Sequence, residues 1–148
     1  MNKSNVQQNN LSSITAHVIR LKPYQDLYQE IFSYLKNNNI NAGFIMTCVG
    51  SLRKINIRLA NATEYIVEEG NKEIISLVGC ISIERSHIHI GLSDEKGKTL
   101  GGHLMPEGNL VNTTAELVIG VLNDLNFGIE YDKETGWNEL CISKKQDI

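Results

Sequence analysis

Apolar positions recur along this chain with two periods, and the changes of period mark its elements. Residues 14–21, ITAHVIRL, alternate as a strand does, with successive side chains on opposite faces. Pro23 ends that strand and suits the start of a helix. From 25 to 38, Leu27, Ile31 and Leu35 recur every fourth position with Tyr28 and Phe32 on a flank, which predicts an amphipathic helix laid on a sheet. Asn37, Asn38 and Asn39 terminate it, since Asn tolerates the left-handed conformation at a helix end.

Beyond the helix the period is that of strands. Residues 42–49, AGFIMTCV, form a nearly continuous apolar run, as expected of a strand covered on both faces. Gly50 and Ser51 read as a turn into 52–60, where Ile55, Ile57 and Leu59 alternate with Lys54, Asn56 and Arg58. A short strand at 65–68 and a turn at Gly70-Asn71 lead to a longer strand at 73–84. There Ile75, Leu77, Gly79, Ile81 and Ile83 fall on one side and Ile74, Ser76, Val78, Cys80 and Ser82 on the other. Residues 110–122 are rich in β-branched side chains and favour a strand. The stretches 127–131 and 137–142 read as a closing hairpin.

One helix against about seven or eight strands joined by short turns predicts an α+β fold with a largely antiparallel or mixed sheet. That count leaves sheet surface uncovered, because one helix shields only part of one face while two strands read as apolar on both. A second copy of the chain is the simplest cover. Residues 1–13 carry few apolar side chains and are expected to form a disordered lead, with 14–148 as a single domain.

At 148 residues, 41% hydrophobic and 21% charged, the composition is that of a soluble globular protein rather than a disordered one. No apolar run is long enough for a membrane span, and the N-terminal MNKSNVQQNNLSS lacks the apolar centre of a signal peptide, so a cytoplasmic location is expected. Cys48, Cys80 and Cys141 are odd in number and widely spaced among apolar neighbours, and read as buried free thiols. A formal net charge of −3 argues against a default nucleic-acid binder, because such affinity rests on Lys and Arg neutralising phosphates. The densest basic patch is Arg53, Lys54 and Arg58, whose row could touch phosphate; a solvated sheet face is the plainer reading.

Candidate chemistry concentrates in 86–103, SHIHIGLSDEKGKTLGGH. His87, His89, Gly91 and Ser93 share one face of a strand while Ile88, Ile90 and Leu92 point the other way. Asp94 to Gly97 read as a tight turn, which folds His103 back toward that face. Three of the four histidines then converge, and three imidazoles with a fourth place open to water are the donor set of a reactive zinc. The plain alternative is three polar side chains on a solvent-facing or subunit-facing strand side. Gly101 and Gly102 permit close backbone approach there. His17 lies beside no other candidate ligand and reads as structural or exposed. No Ser-His-Asp order, phosphate-binding loop or dinucleotide fingerprint is present.

The succession EIISLVGCIS, HIHIGLSDEKGKTLGGHL and TTAELVIG, with the closing YDKETGWNEL, resembles the plants-and-prokaryotes conserved (PPC) domain. The resemblance runs from about Val18 to Ile142. It implies an α+β fold with one principal helix, a homotrimer, and a divalent metal, zinc by ligand type, held by His87, His89 and His103. Glu73 and Glu116 lie in segments matching the family pattern; a carboxylate near metal-bound water could serve as a general base, although strand-end glutamates are more often solvated or subunit-pairing. In land plants the domain follows DNA-contacting AT-hook segments and helps those proteins assemble on DNA, and no Arg-Gly-Arg-Pro hook occurs here. The expected role is a trimeric metal-binding regulatory module with weak DNA association. The alternative is a metal-dependent enzyme acting on a small molecule at the three-histidine site.

Overall fold

A computed structural model describes residues 10–146, so most of the lead expected at 1–13 lies outside the described residues. Among the described residues the strands are β1 (Ile14–Leu21), β2 (Gly43–Arg58), β3 (Tyr65–Ile81), β4 (Ser86–Ser93), β5 (Thr99–Leu104), β6 (Leu110–Leu122), β7 (Leu125–Asp132) and β8 (Trp137–Lys144), with a single helix α1 (Leu27–Asn37) between β1 and β2. Six strands form one antiparallel sheet in the order β1-β6-β2-β3-β4-β5, and an added β2–β5 pairing curls its far end back on itself. β7 and β8 form a separate hairpin. The α+β class, the single principal helix and the antiparallel preference are as the sequence predicts.

Helix α1 begins later than Pro23 suggests. Asp26 is its N-cap: Oδ1 accepts from the backbone N–H of Tyr28 at 3.0 Å and of Gln29 at 3.2 Å. Oδ2 accepts from the N–H groups of Gly108 at 2.7 Å and Asn109 at 3.0 Å, so one carboxylate ties the helix to the segment entering β6. At the other end Asn39 takes φ 51°, the left-handed conformation expected of that asparagine run. Leu27, Ile31 and Leu35 are fully buried against a core that includes Leu117, Ile119, Ile57, Ile88 and Leu92.

Two expected turns are instead bulges within long strands. Gly50 and Ser51 lie inside β2, where Gly50 takes φ 140° and the β2–β6 register shifts; a Cβ there would stand 2.1 Å from the Thr114 carbonyl oxygen. Gly70 and Asn71 lie inside β3, which advances three residues while β2 advances two. A third bulge moves Ile75 out of the core row: the β3–β4 register slips between Ile74 and Ser76, so Ile74 and Leu77 are buried while Ile75 is 56% exposed. The buried-thiol expectation holds for Cys48 only. Cys80 is exposed and Cys141 half-buried, because β3's outward face and the hairpin have no layer over them.

Candidate metal centre

Register alone brings the three histidines together. In the β3–β4 ladder Cys80 stands opposite His87 and Val78 opposite His89, and in the β4–β5 ladder His89 stands opposite His103. Directly opposed residues of an antiparallel pair share a face, so all three imidazoles lie on the side of the sheet away from α1. The β4–β5 turn is held by Asp94, whose Oδ1 accepts from Lys96 N and Lys98 N at 2.9 Å each, with Gly97 at φ 78°. The β2–β5 pairing then sets Arg58 opposite His103. This requires glycine behind it, since a Cβ on Gly102 would stand 2.5 Å from the Arg58 carbonyl oxygen.

One nitrogen from each of His87, His89 and His103 lies within 4.8 Å of the others. The Nε2 atoms of His87 and His89 are 3.1 Å apart. Nitrogen ligands at Zn–N lengths of about 2.0–2.1 Å in a tetrahedron stand about 3.3 Å from one another, so the pair is already near ligand spacing. His103 Nδ1 is buried and has no hydrogen-bond partner among the described residues, as expected of a ring whose partner the polypeptide does not supply. Burial lowers the His103 pKa to about 4, assisted by the positive charge of Arg58, and burial also lowers that of His87. Both rings are therefore neutral at pH 7, the protonation state a metal requires. The donor set fits a divalent ion.

Around the histidines stand residues that sequence spacing did not single out. Arg85, just before β4, places Nη2 3.2 Å from His87 Nδ1 and 3.3 Å from Glu139 Oε2 on β8. Trp137 and Asn138 join Glu139 along one wall of a cleft of about 370 Å³ whose floor includes Arg58, His87 and His103. Only the nearness of Arg85 to the histidine pair in sequence hinted at any of these; β8 comes from a remote stretch of chain.

The remaining candidates are dispersed. Glu73 stands opposite Ser93, at the other end of the β3–β4 ladder from His87. Glu116 lies on β6, three strands from β4 and so about 14 Å away at about 4.8 Å per strand. Neither reaches the histidines within one chain. Arg53 stacks over Tyr24 at 4.4 Å and Lys54 stands opposite Glu69, while Arg58 turns to the histidine cleft, so the basic row is split between two places. His17 Nδ1 lies 2.9 Å from the Tyr34 hydroxyl, a structural tie between β1 and α1.

A model of the Plants and Prokaryotes Conserved (PCC) domain matches residues 8–123. The chain belongs to that family. A bifunctional protein GlmU of Synechococcus sp. (strain JA-3-3Ab) is 38% identical over 132 residues, covering 89% of this chain and 21% of that protein; the chain thus spans about a fifth of the curated relatives it matches. Among solved structures of the fold, a hypothetical protein of Salmonella enterica is 36% identical with a TM-score of 0.90, covering 93% of this chain and 99% of that one. A metal-containing protein of Archaeoglobus fulgidus is 26% identical with a TM-score of 0.73, covering 88% and 96%. The family match ends before β7, so Trp137 and Glu139 lie outside the matched domain. No described helix is long and apolar enough to cross a membrane.

Proposed function

We propose that the protein is a homotrimeric module that holds a divalent metal, zinc by ligand type, on His87, His89 and His103. The observation that carries this reading is the convergence of three imidazole nitrogens within 4.8 Å on one sheet face. The metal-containing relative of the same fold supports it. The trimer is supported by apolar side chains on the sheet face opposite α1, where Val18 is 76% and Val78 55% exposed. Free thiols at all three cysteines suit a reducing cytoplasm. Elemental analysis of untagged protein tests the site. Wild type and His17→Ala should retain zinc after dialysis, and His89→Ala should lose it; equal retention by His89→Ala removes the site.

Enzymatic use of the site is the second reading, favoured by the cleft beside it. A bound zinc with three protein ligands supplies a Lewis-acidic fourth position and an acidified water. The chain's own residues hold the ligand rings neutral and wall the cleft. We place any association with DNA at Arg53 and Lys54, repeated in an oligomer. With net charge −3 and Arg58 directed elsewhere, it should be weak and steeply salt-dependent.

A further inference from the structure

The cleft above the histidines has a charge and shape that metal binding alone does not use. Its two other charged groups, Arg85 and Glu139, neutralise each other across 3.3 Å. Arg58 makes no ion pair or side-chain hydrogen bond among the described residues, although it stands opposite His103 and lines the cleft. A free guanidinium held beside a prospective metal position selects an anion, and its planar fork suits a carboxylate. Part of the lining is apolar: Trp137, on β8, is 60% exposed, and Ala60 and Ala62 also line the cleft. A volume of about 370 Å³ lies at the low end of small-molecule sites.

We propose that this cleft binds a small planar carboxylate, with Arg58 taking the carboxylate group and the Trp137 indole covering the ring. An inorganic anion shares the charge preference but gains nothing from the indole and alanine wall; a phosphate dianion would also ask for more donors than one guanidinium. The proposal rests on the metal reading only for the added positive charge of an occupied site. Arg58 and Trp137 stand independently of it.

Trp137 is the only tryptophan of the chain, so its emission reports directly on the cleft. Zinc-loaded protein is titrated with benzoate, benzamide and inorganic phosphate, following fluorescence and heat. Benzoate should give a saturable change in both signals, while benzamide, equal in shape but uncharged, should not saturate over the same range. Arg58→Gln should weaken benzoate at least tenfold, Arg58→Lys less, and Trp137→Phe should weaken benzoate but not phosphate. The same titration on His89→Ala separates the two readings. Arg58-dependent benzoate binding there, with no zinc in wild type, upholds the carboxylate site and removes the metal. Zinc in wild type with no benzoate response overturns the carboxylate site alone. Benzoate affinity unchanged in Arg58→Gln, or phosphate binding tighter than benzoate, also overturns it.

Discussion

The guanidinium of Arg85 lies 3.2 Å from Nδ1 of His87. A guanidinium only donates, so Nδ1 accepts and the neutral ring carries its proton on Nε2, facing the Nε2 of His89. Ligation of a metal through that Nε2 requires the proton on Nδ1 instead, and a proton there needs an acceptor. Glu139 is the neighbouring carboxylate, 3.3 Å from the same guanidinium. Metal binding is therefore expected to exchange partners, with Arg85 leaving Nδ1 and Glu139 accepting from it, the carboxylate–histidine pairing that orients metal ligands.

Glu139→Gln is accordingly expected to weaken zinc binding about tenfold or more, whereas Arg85→Ala should leave it equal or tighter. Chelator competition measures both. Wild-type zinc affinity in Glu139→Gln would remove the carboxylate from the site.

The His103 ring sets a pH dependence for the metal-free protein. Its folded pKa lies near 4 against an ordinary 6.5, so between these values the unfolded chain holds the extra proton. Stability present above pH 6.5 is then lost as the pH falls toward 4. His87 shifts in the same direction and adds to the loss. Asp94 and Asp124, held low chiefly by backbone hydrogen bonds, act only below the ordinary carboxylate range. Urea unfolding of chelator-treated protein should show a shallower decline over this window in His103→Gln; an identical decline would assign the loss elsewhere.

Asp26 offers a test of the scaffold. Its carboxylate accepts four backbone N–H groups, two from the helix start and two from Gly108 and Asn109. Asn109 in turn accepts from Asn56 N at 2.8 Å and donates to the Met105 carbonyl, joining helix, β2 and the β5–β6 connection. Asp26→Ala should cost about 2–4 kcal/mol, a lost cap plus lost charge-assisted bonds. Asp26→Asn keeps one acceptor oxygen and should fall between. Denaturant midpoints read the difference, and a loss in Asp26→Ala no larger than an ordinary cap would sink the four-bond account.

What was legible in the chain divides along physical lines. Period-2 alternation and turn chemistry are local, and they suffice to place His87, His89 and His103 on one face. The bulges at Gly50, Gly70 and Ile75 are not legible locally, because a glycine or an apolar pair in isolation looks the same in a turn or regular strand as in a bent long one; only the partner strand tells them apart. The Asp26 cap is absent from the sequence reading, although Asp26 and Gln29 stand at the spacing of a helix-start pair. Arg58 stands out in the sequence only as part of a basic row, not as a neighbour of the histidines, and Glu139 and Trp137 carry no periodic signal, since β2–β5 closure and the seating of β8 are long-range pairings.

The outward sheet face gives the last prediction. Val18 on β1 pairs with Val118 on β6, Val118 with Thr47 on β2, and Val49 and Val78 continue the same face toward His89. Helix α1 covers only the opposite face, so this band stands open in the single chain, with Val18 and Val78 each more than half exposed. A contiguous apolar band of this kind marks an interface, and a permanent one tends to be large and core-like. Sedimentation at micromolar concentration should therefore give one species of about three times the 16.6 kDa chain. Val18→Asp, at the sheet edge far from the histidines, should dissociate it, because each interface would then bury an unpaired carboxylate. Circular dichroism of the variant separates dissociation from unfolding. A wild-type monomer that stays soluble and folded at that concentration would overturn the trimer and leave the open band without an occupant.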